Sequence, residues 1–109
     1  MTKYEVVVTD TAVEDMIDIV GYIQKLTESD GTADEYMKIL GVIKSLEKMP
    51  NRFQIVDDPD LFRLGVRYSY YKNYIISYSV IEIDAKVEVY RVFYSGSDIK
   101  NRILGTLQE

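Results

Sequence analysis

The spacing of apolar residues changes along this 109-residue chain from a helical period to a period of two. Two stretches of the first half carry apolar residues three or four positions apart, which predicts two amphipathic helices. The two stripes are Met16, Ile19, Val20, Ile23 and Leu26, then Tyr36, Ile39, Leu40, Ile43 and Leu46. From Leu64 onwards apolar and polar residues alternate, which predicts strands. The expected fold class is therefore α+β, with a helical hairpin packed on a sheet.

Capping residues set the expected bounds of the hairpin. A β-rich run from Tyr4 to Thr9 predicts a first strand. Residues 11–14 (Thr-Ala-Val-Glu) and 32–35 (Thr-Ala-Asp-Glu) match the capping box, in which threonine and glutamate satisfy free amides at a helix start. We expect residues 29–31 to end the first helix. Met49-Pro50 is expected to end the second, because the residue before a proline avoids helical angles.

Short turns divide the second half of the chain. Residues 51–62 are loop-like, and the turns Lys72-Asn73 and Asp84-Ala85 separate three strands, which predicts an antiparallel meander. Ser97-Asp98 is suited to cap a short final helix. The predicted order is β-α-α-β-β-β with an optional last α, in one domain spanning residues 1–109.

Composition excludes several classes of chemistry. The chain contains no cysteine and no histidine, which removes disulfides, thiolate chemistry, the commonest general base and the commonest metal ligand. Asp57, Asp58 and Asp60 lack the glycine and the downstream glutamate of a calcium loop, so no metal and no cofactor is expected. No apolar run reaches the ~18 residues that span a bilayer. We therefore expect a cytoplasmic protein with no membrane partner.

The net charge of −5 is unevenly distributed. Residues 1–62 carry 13 acidic and 6 basic side chains, whereas residues 63–109 carry 5 acidic and 7 basic ones. Glu14, Asp15 and Asp18 of the first helix are expected to form an exposed, solvated face. An acidic chain disfavours tight binding of DNA, but the basic second half still permits a site for a polyanion.

The last predicted strand holds the most suggestive charged residue. Strict alternation places Arg91 with Val87, Val89 and Phe93 on one face, and Tyr94 on the other. An arginine near a strand end can bind phosphate, although a single arginine is more often a surface charge. Arg67, on a neighbouring strand, could converge with Arg91.

The order and spacing of several segments resemble the RelE/ParE superfamily of toxins from type II toxin–antitoxin modules. The segments are residues 6–12, 15–23, 46–52, 65–67, 73–80 and 87–94, with Asp98 after them. The resemblance covers nearly the whole chain. It implies a helical hairpin against an antiparallel sheet, and a growth-inhibiting toxin that a cognate antitoxin holds inactive.

Two mechanisms share the fold that the resemblance implies, and of these we expect ribosome-dependent mRNA cleavage, with gyrase inhibition as the alternative. RelE-like members cleave mRNA in the ribosomal A site, and ParE-like members poison DNA gyrase without chemistry of their own. For ribosome-dependent cleavage the resemblance implies Arg67 and Arg91 as catalytic phosphate-binding residues and Tyr94 as acid or base. Arg52 and Arg63 are weaker candidates for RNA binding. For gyrase inhibition, the same sheet face and the final helix become a protein-binding surface.

The resemblance also implies how the antitoxin binds. An amphipathic segment of the antitoxin is expected to lie across the hairpin and the sheet, or to add a strand to the exposed edge of the first or last strand. Contact with operator DNA in such modules comes from the antitoxin. We therefore expect no tight DNA binding by this chain alone.

Overall fold

A computed structural model of the chain describes residues 3–27, 31–95 and 98–107. Its helices are α1 (Asp10–Thr27), α2 (Gly31–Ser45), α3 (Pro59–Arg63) and α4 (Ile99–Leu107), and its strands are β1 (Glu5–Val8), β2 (Arg67–Tyr71), β3 (Tyr74–Ile81) and β4 (Lys86–Tyr94). Short 3-10 helices cover Pro50–Arg52 and Glu82–Asp84. The predicted α+β class and the β-α-α-β-β-β order with a final helix are confirmed.

The sheet has the strand order β1-β4-β3-β2. β2, β3 and β4 form the predicted antiparallel meander, whereas β1 pairs in parallel with β4. The two edges of the sheet are therefore β1 and β2, and β4 is an inner strand. The expectation that the last strand offers an exposed edge is wrong, and the expectation for the first strand is confirmed.

Both faces of the sheet are covered. On one face the α1–α2 hairpin forms a core with the sheet, made of Ala12, Met16, Ile39, Ile43, Leu46, Ile76, Tyr78, Val87, Val89 and Val92. On the other face α3 and α4 contribute to a second cluster of Leu61, Val66, Tyr90, Phe93 and Ile103. Removal of this apolar surface from water is the main source of stability for such layers. We call the two sides the hairpin face and the α4 face.

The start of α1 differs from the capping box predicted by the sequence, whereas the Thr32 side chain of the second capping box lies outside the described residues. The Ala12 N–H donates to Thr9 Oγ1 at 3.1 Å, so Thr9 rather than Thr11 caps α1. Thr9 Oγ1 also donates to the Tyr90 carbonyl at 2.9 Å, which ties the helix start to β4. The Glu35 carboxylate, near the start of α2, accepts bonds from Tyr71 and Lys72 on the β2–β3 hairpin.

The remaining bounds also shift. α2 ends at Ser45, four residues before Met49, and the Arg52 guanidinium donates to the carbonyls of Ser45 and Lys48. The predicted loop of residues 51–62 contains the start of α3, which is capped by the Asp58 carboxylate. Residues 29, 30 and 97 of the predicted helix boundaries lie outside the described residues.

Candidate functional site

A β-bulge in β4 determines where the candidate arginine points. Ser77 of β3 is opposite Arg91 and Tyr78 is opposite Val89, so Tyr90 is an extra residue in β4. Ser77 Oγ binds both the N–H and the carbonyl of Arg91 at 3.1 Å. A bulge of this kind changes which side chains share a face.

The prediction of strict alternation along β4 is therefore wrong beyond Val89. Val87, Val89 and Val92 belong to the hairpin-face core, whereas Tyr90 and Phe93 belong to the α4-face cluster. The guanidinium of Arg91 lies 4.9 Å from the centre of the Phe93 ring. Arg91 and Phe93 thus share a face, as the alternation predicted, but Val87 and Val89 do not share it with them.

The guanidinium of Arg91 forms a two-point ion pair with Asp15 of α1. Arg91 Nε and Nη2 lie 2.7 and 2.8 Å from the two carboxylate oxygens. The Asp15 carboxylate also accepts the Val92 N–H at 3.0 Å, beyond the last residue of β1 that pairs with β4. Only 13% of the Arg91 side chain and 10% of the Asp15 side chain are exposed. Asp15, expected on a solvated face, is therefore a buried partner of β4.

Arg91 also contacts the C-terminal helix. Its Nη1 donates to Thr106 Oγ1 of α4 at 3.2 Å. The Phe93 ring, which Arg91 contacts, is also contacted by Arg102 of the same helix, whose guanidinium lies 5.1 Å from the ring centre. The side chain of Arg91 therefore joins α1, β4 and α4.

Tyr94 lies at the end of β4 on the hairpin side of the sheet. It is opposite Tyr74 in the β3–β4 ladder, and the two rings meet edge to face at 5.7 Å. Tyr74 packs against the hairpin-face core, and Tyr94 follows Phe93, which points to the α4 face. Tyr94 is 55% exposed. Tyr94 and Arg91 therefore project from opposite faces.

Arg67 is the first residue of β2 and is opposite Tyr78, whose side chain is in the hairpin-face core. Its guanidinium donates to the carbonyls of Asn51 and Phe53. Tyr78 and Ser77 are consecutive on β3 and point to opposite faces, so Arg67 and Arg91 do not converge. Tyr94 is opposite Tyr74, which precedes Tyr78 by four residues on β3, a separation of about 13 Å at the usual strand rise.

The two weaker candidates also lie apart. Arg52 stacks on Phe53, 5.0 Å from the ring centre, and donates to the end of α2. Arg63 is in α3 with 78% of its side chain exposed, 3.7 Å from Asp60. Of the five predicted site residues, only Arg52 and Arg67 are brought to the same segment, the turn around residues 50–53.

That turn is held by side chains from three directions. The Tyr78 hydroxyl donates to the Pro50 carbonyl at 2.7 Å, and burial raises the pKa of Tyr78 although Arg67 and Arg52 act in the opposite direction. Asn51 and Tyr4 both donate to the Glu82 carboxylate, at 3.0 and 2.8 Å, and lower its pKa. These contacts are those of a rigid structural turn.

Two grooves lie along the two edges of the sheet. The first, of about 640 Å³, runs between β1 and α2 and is lined chiefly by apolar groups, including Val6, Val8, Met37, Leu40 and Ile43. The second, of about 560 Å³, runs between β2 and residues 52–57, with Tyr68 and Tyr70 on its strand side. Sequence reasoning missed both, because a groove between segments distant in sequence leaves no local pattern.

The described part of the chain contains no group of acidic side chains placed to hold a metal ion. No helix within it has the length and apolar character needed to cross a membrane.

Comparison with known proteins adds a family and two related folds. A sequence model described as the ParE toxin of the type II toxin–antitoxin system parDE matches residues 6–99. The solved structure of the chromosomal ParDE toxin–antitoxin system from P. aeruginosa matches with a TM-score of 0.72 at 15% identity, over 87% of this chain and 99% of the other. The RelBE2 toxin–antitoxin complex from Mycobacterium tuberculosis matches with a TM-score of 0.65 at 18% identity, over 89% and 97%. No curated protein sequence matches the chain.

Proposed function

Because the chain belongs to the ParE toxin family of type II toxin–antitoxin systems, we propose that it inhibits growth by binding DNA gyrase and performs no chemistry of its own. The observation that carries this proposal is the separation of Arg67, Arg91 and Tyr94. Cleavage of RNA through its 2′-hydroxyl needs a base, an acid and a stabiliser of the charged phosphate around one reacting centre. These three side chains are distributed over two faces of the sheet.

The ion pair of Arg91 supports the same proposal. A guanidinium that binds Asp15 through two bonds has its charge balanced and its donors directed away from solvent. Releasing it to bind phosphate would leave the Asp15 carboxylate buried without its counter-charge, which is costly. Arg91 is better explained as a residue that positions α1 and α4 on β4.

Ribosome-dependent mRNA cleavage is the second candidate, and the groove beside β2 favours it. Tyr68, Tyr70 and Arg52 line that groove, and tyrosine rings stack on bases while arginines bind phosphate. In this alternative Arg67, Arg91 and Tyr94 keep the catalytic roles implied by the resemblance, and Arg52 and Arg63 bind RNA. It requires a rearrangement on the ribosome that brings these residues together.

Two parallel assays separate the candidates. The purified chain is added to a gyrase supercoiling reaction, and separately to ribosomes programmed with mRNA whose ends are mapped by primer extension. We expect loss of supercoiling and an intact message. Ribosome-dependent cuts with unchanged supercoiling would refute gyrase inhibition and establish the ribonuclease.

We further propose that a cognate antitoxin binds the groove between β1 and α2. Both solved relatives were determined as toxin–antitoxin systems. The apolar walls supplied by Val6, Leu40 and Ile43 suit an amphipathic segment, and the outer side of β1 pairs with no strand of the described sheet. At the rim Lys3 forms an ion pair of 3.3 Å with Glu47, and the exposed Lys3 ammonium offers a positive charge to a partner. Because DNA gyrase and the antitoxin are cytoplasmic proteins, we propose that this chain also acts in the cytoplasm.

A further inference from the structure

We propose that the outer edge of β2, with the groove beside it, binds an extended segment of the target protein as an added strand. This inference rests on the proposed function, in which the toxin acts by binding a protein. It assigns the target to the edge of the sheet opposite the one proposed for the antitoxin. β4 and β3 separate the two edges.

The backbone of β2 presents hydrogen-bonding groups to the outside at two tyrosines. The Val66 carbonyl faces outwards, because it accepts the Val56 N–H at 2.8 Å from the adjacent loop. Backbone groups alternate between the two sides of a strand, so Tyr68 and Tyr70 also direct their N–H and carbonyl groups outwards. The bridge of Ile55 with Arg67 engages the Tyr68 N–H, so the groups offered to a partner are the Tyr68 carbonyl and both groups of Tyr70. Ile55 bridges Arg67 at the start of β2, and Tyr70 lies beyond that bridge with 58% of its surface exposed. This portion of the edge is open to a partner strand.

The groove supplies contacts for side chains of such a strand. Phe53, Ile55 and Val56 line its loop side, and Tyr68 and Tyr70 line its strand side, over a volume of about 560 Å³. The Tyr68 and Tyr70 rings meet edge to face with their centres 6.5 Å apart, and this contact restricts the orientation of both rings. Strand addition combines main-chain hydrogen bonds with pockets for alternate side chains, and this groove offers both.

Two charged residues of the groove indicate which charges a bound segment would carry. Arg52 and Asp57 lie at the two ends of its loop side, and neither forms an ion pair with any residue that the structure describes. The Arg52 guanidinium is held by bonds to the carbonyl and hydroxyl of Ser45 and to the Lys48 carbonyl, which order the cation. We therefore infer a segment with apolar or aromatic side chains, an acidic residue opposite Arg52 and a basic residue opposite Asp57.

A proline at position 70 tests the added strand directly. Tyr70→Pro removes an N–H that faces outwards, and proline is tolerated on an edge strand in that position. Tyr70→Thr removes the ring and keeps the N–H. We expect the proline variant to lose about tenfold or more in gyrase inhibition, the effect of one or two lost hydrogen bonds, and the threonine variant to lose less.

Three measurements accompany each variant: antitoxin binding, the midpoint of thermal unfolding, and growth arrest on expression. Antitoxin binding and the unfolding midpoint should match those of the wild type. Asp57→Lys, at an exposed position, reverses one end of the groove and should weaken inhibition even if the proline variant fails to fold. Full inhibition by Tyr70→Thr and Asp57→Lys, or by a folded Tyr70→Pro, would overturn the inference.

The proposed function and this inference fail in different ways. A wild-type chain that arrests growth but does not inhibit gyrase overturns the gyrase proposal, and growth arrest then reports on the β2 edge instead. A chain that does neither overturns both. Self-association of the wild type that Tyr70→Pro abolishes would assign the edge to a second copy. Binding of a single-stranded RNA oligonucleotide that Tyr70→Thr abolishes would assign it to RNA, and either result overturns the inference.

Discussion

Asp15 binds the guanidinium of Arg91 through both carboxylate oxygens, at 2.7 and 2.8 Å, and its carboxylate also accepts the Val92 N–H. The carboxylate thereby replaces a neighbouring strand where β1 has ended and α1 has begun. An acidic residue of α1 and a basic residue of β4, 76 positions apart, thus complete the edge of the sheet.

We expect the loss of either partner to destabilise the protein strongly. Asp15→Asn or Arg91→Ala should lower the free energy of unfolding by about 3 kcal/mol or more, because each leaves a buried charge without its counter-charge. Asp18→Asn, on the exposed face of α1, is the matched control and should change it little. Urea unfolding of the three variants measures the difference. An Arg91→Ala variant of wild-type stability that no longer arrests growth would instead indicate a direct contact of Arg91 with the target.

Tyr94→Phe should leave both stability and toxicity nearly unchanged. The ring keeps its edge-to-face contact with Tyr74, and only the hydroxyl is lost. We expect a change of less than about 1 kcal/mol in the free energy of unfolding. Growth arrest by this variant should match the wild type if the toxin acts by binding. A folded variant without toxicity would point to acid–base chemistry at Tyr94.

Gly41 offers a test of the antitoxin groove that does not compromise the fold. A Cβ built at this position meets no atom within 4 Å, and Gly41 lines the groove between β1 and α2. Gly41→Ala should stabilise α2 by about 1 kcal/mol, since glycine is a poor helix former, and should leave antitoxin binding intact. Gly41→Arg should gain similar helix stability but fill the groove. Titration calorimetry with the antitoxin should then show at least tenfold weaker binding; equal affinity for both variants would place the antitoxin elsewhere.

Stability should fall in acid through the contact between α4 and α3. The Lys100 ammonium, 3.0 Å from Asp58, lowers the pKa of that carboxyl, and the amides of Leu61 and Asp60 contribute. The unfolded chain takes up the proton near pH ~3.9, whereas the folded protein takes it up at lower pH. The stabilisation is therefore complete above that value and is lost as pH falls through the folded pKa. Urea unfolding across this range should show a shallower acid dependence for Lys100→Met, and an unchanged dependence would exclude this pair as a cause.

The elements that sequence predicted well are those whose signal is local. The stripe that includes Met16, Ile39 and Ile43 reflects burial on one face of each helix, which repeats at fixed spacing. The parallel pairing of β1 with β4 could not be predicted in this way, because it joins residues about 80 positions apart. The capping of α1 by Thr9 was missed because Thr11, with Glu14 three residues later, fits the capping box, whereas Thr9 has Ala12 at that place.

The candidate site was harder to predict for a specific reason. Arg67 and Arg91 were correctly assigned to strands of one sheet, but the face of each depends on register and on the extra residue Tyr90. Asp15 lies three residues after Ala12 and directly before Met16, and both of these residues are buried. Its place on the helix therefore indicated that Asp15 would be buried too. An acidic residue at that place requires a cationic partner, and Arg91 was the candidate available.

The bulge at Tyr90 has a consequence for comparing this toxin with its relatives. One additional residue in β4 moves every later position of the strand by one relative to a chain that lacks it. At identities of 15–18%, an alignment of letters alone does not locate that insertion. Where a relative lacks the extra residue, a role transferred to Arg91 or Tyr94 by such an alignment would fall on the wrong side of the sheet. Superposition of strands, rather than matching of residues, is the sound basis for assigning equivalent positions at the end of β4 across this family.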